Sequence, residues 1–238
     1  MTLRDSIDRL RKSVAETTRR VGRNPEDIRI VLVTKTVTSE RIREAFEAGV
    51  QDFAENRVQE LVAKKSELAL PIRWHMIGHL QTNKVKQVLG EADLIHSLDR
   101  PELAAEIERQ ARVRGIKRVP VLIQVKVSDE ESKFGFAPAA VPDFVAALAK
   151  DSPIEIRGMM AIGPFALAQQ SSQTANGNKI RAAFRAARES RDEMARRFPE
   201  KKWDVLSMGM SADYKIAIEE GSTLIRIGTA VFGMRDSK

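Results

Sequence analysis

The sequence predicts an α/β protein, a single (β/α)8 barrel (TIM barrel) with one extra helix at its N-terminus. Short runs of β-branched residues alternate with longer amphipathic segments, and this alternation is typical of a parallel sheet. Eight such units in 238 residues agree in number and size with a closed barrel. An open doubly wound sheet, the rival architecture, usually has fewer strands. Because no linker divides the chain, we expect residues 1–238 to form one domain.

The strands and helices are predicted from the period of the apolar residues. The eight predicted strands cover residues 29–34, 52–54, 73–77, 94–96, 120–127, 155–160, 204–206 and 223–227. The predicted helices cover residues 3–21, 39–48, 57–68, 83–90, 101–114, 138–150, 178–198 and 213–219. Residues 166–178 are rich in Gln and Ser and have no apolar period, which predicts a mobile loop after the sixth strand. Such a loop either covers a site or is a plain insertion.

The composition excludes several classes of protein. Cysteine is absent, which excludes a disulfide scaffold, a thiolate nucleophile and a zinc–thiolate site. The chain has neither an apolar run long enough to cross a membrane nor a secretory signal, so we expect a cytoplasmic protein without a membrane contact. The net charge is +7, but the densest basic patch, residues 179–202, has a helical period. We interpret that patch as a solvated helix face and predict no nucleic-acid partner.

Lys35 is the first candidate for chemistry, because a barrel carries its active groups at the carboxyl ends of its strands. It follows the first strand and continues the face that carries Val31 and Val33. Burial favours the neutral amine of a lysine, which can form a Schiff base with an aldehyde. The alternative is a strand-end lysine whose amine extends into water.

The loops after the seventh and eighth strands have the residues of a phosphate site. Gly209 and Gly228 allow close approach of the backbone, and Ser211 and Thr229 supply hydroxyl groups. In barrels these two loops commonly bind phosphate through backbone N–H groups and a short helix N-terminus. We therefore expect an anion site there.

Arg226 lies in the eighth strand, on the face predicted to point into the barrel. A buried arginine needs a partner, and the ring nitrogen of a phosphorylated pyridine aldehyde would supply one. The alternative is an ion pair with Glu55 or Asp204. Together with Lys35 and the phosphate loops, Arg226 indicates a site for pyridoxal 5′-phosphate (PLP).

Other polar residues allow more than one interpretation. Asn56 follows the second strand, where it either bonds the cofactor or caps the next helix. His75 and His79 are predicted to form a hydrogen-bonded structural pair, because a Gly and a strand interrupt the spacing that a metal site needs. His96 ends the fourth strand and either lines the mouth or is packed there. We predict no metal site.

The sequence resembles the pyridoxal phosphate homeostasis proteins, also called the YggS or PROSC family, which are similar to the barrel domain of alanine racemase. The resemblance covers nearly the whole chain. The matching segments are residues 33–36 (VTKT), 55–60 (ENRVQE), 74–84 (WHMIGHLQTNK), 95–99 (IHSLD), 131–135 (ESKFG), 206–211 (LSMGMS) and 221–233. Ala54, Thr82 and Lys126 depart from the Gly, Ser and Asn that the family commonly has, and residues 166–178 look unlike the usual sequence there.

The resemblance implies one PLP bound as an internal aldimine on Lys35, with Arg226 facing the pyridine nitrogen. It also implies further cofactor contacts, from Ser211, Gly228 and Thr229 around the phosphate and from Asn56 beside the ring. Lys133 matches a basic family position that either captures or passes on PLP, or is a plain solvent-exposed lysine.

The resemblance further implies intracellular PLP homeostasis or carriage, with PLP-dependent apo-enzymes as recipients and no established turnover. An arginine at the ring nitrogen keeps that nitrogen unprotonated and makes the ring a poorer electron sink. The alternative is a PLP-dependent enzyme with weak amino-acid racemase-type activity. The one tyrosine, Tyr214, is predicted to be structural. Since the second domain of alanine racemase has no counterpart in the sequence, we expect a monomer.

Overall fold

Eight parallel strands pair in sequence order, and the last pairs with the first, so the sheet closes into a barrel. The structure is a computed structural model that describes residues 2–127, 134–164 and 174–233. The strands are β1 (Arg29–Val33), β2 (Asp52–Glu55), β3 (Arg73–Met76), β4 (Leu94–Leu98), β5 (Val119–Val125), β6 (Ile154–Ala161), β7 (Val205–Ser207) and β8 (Leu224–Ile227). The predicted (β/α)8 barrel is confirmed, and each predicted strand overlaps an observed one.

Helices surround the barrel and follow most strands. Those in the described residues are α1 (Leu3–Arg20), α2 (Ser39–Glu47), α3 (Val58–Leu68), α4 (Val85–Val88), α5 (Pro101–Val113), α6 (Val141–Ala147), α7 (Thr174–Arg197), α8 (Tyr214–Glu219) and α9 (Thr229–Phe232). The extra helix α1 begins at a capping box in which Thr2 and Asp5 satisfy each other's backbone N–H groups. Among these helices, none is long and apolar enough to cross a membrane.

Two parts of the predicted helix pattern are wrong. Residues 174–178, placed in the mobile loop, form the first turns of α7, while residues 166–173 lie outside the described residues. The helices predicted over 83–90 and 138–150 are each a 3-10 turn followed by a short helix, α4 and α6 respectively. The sequence pattern also missed α9, because four residues are too few to show a helical period.

The strands bury side chains on both faces, as a barrel surrounded by helices requires. Their outer faces pack with the helices into the main apolar core. Their inner faces form a second, smaller cluster: Val31, Val33, Ala54, Leu94, Leu122, Met160, Val205 and Leu224. The predicted face of β1 is thus confirmed as the inner one, and it leads towards the mouth of the barrel.

Gly158 lies where β6 closely approaches the backbone of β7. The pairing of β5 with β6 shifts register next to it, and its φ is +141°, a backbone conformation that side chains rarely adopt. A Cβ atom at this position would lie 1.8 Å from the carbonyl oxygen of Val205 in β7. The contact between β6 and β7 therefore requires a glycine.

We predict that Gly158→Ala lowers the free energy of unfolding by more than about 3 kcal/mol, because β6 and β7 must separate to admit the methyl group. Urea unfolding measures the change. Gly22→Ala is the matched control: its φ is +72° but nothing lies within 4 Å of the added Cβ. That variant should lose only about 1 kcal/mol from backbone strain. Equal losses in the two variants would contradict the steric argument.

Candidate functional site

The carboxyl ends of the strands enclose a cavity of about 300 Å³ at the mouth of the barrel. It is lined by Asn56, Ile77, Gly78, His79, Gln124, Val125, Lys126, Val127, Phe134 and Ile162. A larger cavity of about 540 Å³ lies at the opposite end, between α1 and the first residues of β1, β2 and β3. The mouth is the candidate site, since the loops that carry chemistry in a barrel meet there.

Lys35 projects from a tight turn that follows β1. The carbonyl oxygen of Thr34 accepts hydrogen bonds from the Val37 N–H at 2.8 Å and from the Lys64 amine at 2.8 Å. Thr36 has a φ of +63°, in the left-handed region that non-glycine residues seldom adopt. The backbone is therefore constrained on both sides of Lys35, which is itself half-buried.

Glu55 stabilises this turn from the outer side of the barrel. Its Oε1 atom accepts from the Thr34 hydroxyl and from the Lys64 amine, each at 2.6 Å. Its Oε2 atom is buried and has no hydrogen-bond partner among the described residues. Burial raises the pKa of Glu55 even though Lys64 and Thr34 act in the other direction.

Arg226 is buried inside the barrel, as its alternation in β8 predicted, and it is 4% exposed. Its Nη1 atom donates to the carbonyl oxygen of Ser207 at 2.9 Å and to the Ser207 hydroxyl at 2.7 Å, and its Nη2 atom donates to the Ala161 carbonyl at 3.1 Å. Burial lowers the pKa of Arg226 to about 10, and the charge of Asp213 opposes that shift. The guanidinium therefore stays charged at neutral pH, although all three of these acceptors are neutral.

The alternative ion-pair partners of Arg226 are wrong. Glu55 is bound to Lys64 on the outer side of the barrel wall. Asp204 pairs with Arg157 at 2.7 Å on the surface. Neither carboxylate reaches the interior, because each lies on the side of its strand that faces outward.

The last two loops meet through Ser211, as predicted. Its hydroxyl oxygen accepts from the N–H groups of Gly228 at 3.3 Å and Ala230 at 3.2 Å, at the start of α9. Gly209 has a φ of +95°, and its carbonyl oxygen accepts a hydrogen bond from the backbone N–H of Arg226 at 2.9 Å. The structure thus brings the hydroxyl, the backbone N–H groups and Arg226 together at one end of β7 and β8.

Asn56 does not cap the next helix. Helix α3 begins at Val58 with Arg57 in the capping position, and no side chain makes a capping hydrogen bond there. Asn56 lines the mouth cavity instead. Gly78 packs so closely on it that an added Cβ would lie 2.1 Å from the Asn56 carbonyl oxygen.

The predicted pair of His75 and His79 is wrong, because His75 points into the barrel from β3 while His79 lies in the loop beyond it. His75 Nε2 lies 3.0 Å from the Asp52 carboxylate, and its Nδ1 lies 2.9 Å from His96 Nε2. His96 Nδ1 in turn lies 3.0 Å from the Ser207 hydroxyl. Burial lowers the pKa of His96 well below its usual value, so this ring is neutral at pH 7.

His79 belongs to the rim of the mouth. Its Nδ1 atom lies 2.7 Å from the carboxylate of Asp99. Its ring stacks on Phe134, with centroids 3.7 Å apart and planes inclined by 19°. Phe134 remains 53% exposed, so this stack forms part of the outer wall of the cavity.

Other polar residues also bear on the predictions from the sequence. The Tyr214 hydroxyl is hydrogen-bonded to Ser13 of α1 at 2.8 Å, in agreement with a structural role. Lys133 lies outside the described residues. Asp52 and Ser207 were missed as interior polar residues, although alternation along β2 and β7 places them on the inner faces. Among the described residues, no group of three or more potential ligands forms a metal site.

Comparisons with known proteins identify the family. The family described as "Alanine racemase, N-terminal domain" matches residues 6–236. A pyridoxal phosphate homeostasis protein of Aquifex aeolicus is 39% identical over 232 residues, which cover 97% of each chain. One from Escherichia coli K12 is 37% identical and covers 97% of this chain and 96% of that protein. The chain belongs to the pyridoxal phosphate homeostasis protein family.

Solved structures show the same fold. PipY of Synechococcus elongatus, in a structure without PLP, has a TM-score of 0.81 at 34% identity and covers 98% of this chain and 100% of its own. A second PipY structure, described as having PLP bound, has a TM-score of 0.80. An alanine racemase of Clostridium difficile has a TM-score of 0.69 at 16% identity, and this chain spans 57% of its length, so that likeness concerns the fold alone.

We predict that buried His96 makes this family member less stable in mild acid. The folded pKa lies below the unfolded value of about 6.5, so below that pH the unfolded chain binds a proton that the folded chain does not. The free energy of unfolding should therefore fall by up to about 1.4 kcal/mol per pH unit as the pH decreases below about 6.5. Urea unfolding at several pH values measures this slope.

His96→Gln should lose the contribution of His96 to the pH slope of the unfolding free energy. His79→Gln, which changes a residue at the rim, should keep it. Glu55, with its raised pKa, acts with the opposite sign in every variant, so it cancels in the comparison. The same pH slope in the wild type and in His96→Gln would show that His96 is not the group responsible.

Proposed function

We propose that this protein binds PLP and acts in intracellular PLP homeostasis or carriage. The observation that carries the proposal is the buried, charged guanidinium of Arg226, whose hydrogen bonds in the described residues go to neutral acceptors and whose strand leads to the anion-type loop. In the pairing of β1 with β8, Val31 is in register with Arg226. The turn of Lys35 and the loop of Gly228 therefore follow neighbouring strands at the mouth.

The donor set fits PLP group by group. Arg226 offers fixed N–H donors, which suit a pyridine nitrogen acceptor. Ser211, Gly228 and Thr229 offer a hydroxyl pair and backbone N–H groups at a short helix, which suit a phosphate. Lys35 offers a half-buried primary amine, and Asn56 lines the mouth cavity, whose lining residues do not include Lys35, Arg226 or Ser211.

When bound, PLP supplies an aldehyde that condenses with a primary amine and a ring that withdraws electrons. The residues of this chain orient the cofactor rather than activate it. Arg226 donates a hydrogen bond and retains its proton at neutral pH, since even its lowered pKa is about 10. The constrained turn keeps Lys35 at the mouth, and the rim formed by His79 and Phe134 covers the outer side of the cavity.

The similar proteins support a role in PLP homeostasis in addition to PLP binding. Their shared description is pyridoxal phosphate homeostasis protein, and PipY is described with PLP bound. Transfer to PLP-dependent apo-enzymes, a cytoplasmic location, a monomeric state and one domain over residues 1–238 stay predictions, as does a role of Lys133 in passing on the cofactor.

A PLP-dependent enzyme with weak racemase-type activity is the second candidate. Racemisation needs a base on each face of the substrate. The hydroxyl of Tyr214 is engaged by Ser13 in α1, so the observations favour binding over catalysis.

We predict that borohydride reduction of the PLP-saturated protein fixes a phosphopyridoxyl group on Lys35, because this is the amine that follows β1 next to the anion loop. Peptide mass spectrometry locates the label. Lys35→Ala should lose both the label and the visible absorption of bound PLP. Lys126→Ala removes the amine of a lysine that lines the mouth cavity and should leave the label on Lys35. Labelling of Lys126 alone, or of no lysine, would refute the proposed site.

We also predict no deuterium exchange at Cα of a panel of amino acids beyond the rate with free PLP. Arg226 does not protonate the ring, and the described mouth presents no tyrosine. Proton NMR of the amino acids in D₂O measures the exchange. A rate enhancement that disappears in Lys35→Ala would favour the enzyme candidate instead.

A further inference from the structure

A row of hydrogen bonds crosses the interior of the barrel from its base to the mouth. It consists of Asp52, His75, His96, Ser207 and Arg226, and we call it the interior network. The successive separations are 3.0 Å, 2.9 Å, 3.0 Å and 2.7 Å. All five residues are buried. The network starts at the first residue of β2 and ends at the third residue of β8, so no single strand imposes it.

We propose that the carboxylate of Asp52 gives the interior network a single direction, and that this direction positions Arg226. Asp52, His75, His96 and Ser207 are then positioning residues for Arg226. The role of Arg226 towards PLP rests on the proposed function, but the direction of the network does not.

The direction follows from which atoms can donate. An ionised carboxylate only accepts, so His75 must donate to Asp52 from Nε2. A neutral imidazole has one donor, so His75 Nδ1 accepts from His96 Nε2, and His96 Nδ1 accepts from the Ser207 hydroxyl. Both lone pairs of Ser207 Oγ then remain to accept from Arg226. Every hydrogen along the network points towards Asp52.

The charges around the network favour neutral imidazoles. Arg73 already contacts both oxygens of Asp52, at 2.9 Å and 2.5 Å, so the carboxylate has its counter-charge. Burial disfavours a charged His96, and so do any positive charge on His75 and the nearby Arg226 and Arg29. Asp52 is the carboxylate that contacts His75 in the network, and the charge of Asp213 acts on Arg226. A fourth or fifth cation in this space would be costly.

The consequence for Arg226 is a guanidinium oriented by neutral acceptors. If Ser207 accepted a hydrogen bond from His96, the hydroxyl hydrogen of Ser207 would have to point elsewhere. It would then compete for the space that Arg226 fills. With the hydrogen committed to His96, Ser207 presents only acceptors to Nη1, beside its own carbonyl oxygen. Within the network, the carboxylate of Asp52 is four hydrogen bonds away, so the groups that orient Arg226 directly are neutral acceptors, while the charge of Asp213 acts on the guanidinium from outside the network.

Histidine NMR of the PLP-free protein tests the direction. Long-range ¹H–¹⁵N spectra distinguish the Nε2–H tautomer, the Nδ1–H tautomer and the imidazolium, and the chain has three histidines, so His79→Gln and His96→Gln assign the signals. We expect pure Nε2–H tautomers for His75 and His96 at pH 7. A Nδ1–H tautomer of His96, or an imidazolium at either position, would overturn the proposal.

Two aspartate variants isolate the carboxylate. In Asp52→Asn the amide can donate as well as accept, so we expect His75 and His96 to become mixtures of tautomers. Asp204→Asn is the matched control, because Asp204 directly precedes β7 and also pairs with an arginine, and in the described residues it has no hydrogen bond to a histidine. Its histidine spectrum should equal that of the wild type. Unchanged tautomers in a folded Asp52→Asn protein would contradict the proposal.

PLP binding tests the positioning. Asp52→Asn and Ser207→Ala should each bind PLP about tenfold more weakly than the wild type, while Asp204→Asn should not differ. If wild type fails to bind PLP, the proposed function fails while the tautomers still decide the direction. If tautomers change but PLP affinity does not, the positioning role is refuted. Should Asp52→Asn not fold, the wild-type spectrum and Ser207→Ala decide between the same outcomes.

Discussion

A guanidinium charge inside the barrel, held by neutral acceptors, is the constraint on which the site depends. Removing such a charge from water is costly unless hydrogen bonds replace the lost solvent. Carbonyl oxygens from two strands and one hydroxyl do this for Arg226. These hydrogen-bond acceptors of the guanidinium are neutral and the charge of Asp213 helps to keep it protonated, so the mouth remains attractive to an anionic or electron-rich ligand.

Closure of the barrel makes the strand that carries Arg226 a neighbour of the strand that leads to Lys35. The first and last strands become neighbours, so the turn after β1 and the loop after β8 meet although nearly the whole chain separates them. Lys35 and the Ser211–Gly228 contact therefore follow neighbouring strands at the same end of the barrel. The Glu55–Lys64 pair stabilises the turn from the outer side.

Much of this could be predicted from the sequence, for reasons that are local. Alternation along β1 and β8 assigns Val31 and Arg226 to the inner face, and glycine with hydroxyl residues marks the anion loop. The side-chain partners could not be predicted, since they depend on which strands face each other across the barrel. The pairing of His75 with His96 rather than His79, and the lining role of Asn56, needed the three-dimensional structure.

The two histidine–aspartate pairs show why contact alone does not define a role. His79 with Asp99 and His75 with Asp52 have similar separations, 2.7 Å and 3.0 Å. The first pair lies at the rim, where the ring is partly exposed and can exchange partners with water. The second is buried in a space where every donor needs an acceptor, so its tautomers are determined by its neighbours. Burial thus converts an ordinary contact into one that orients the groups beyond it.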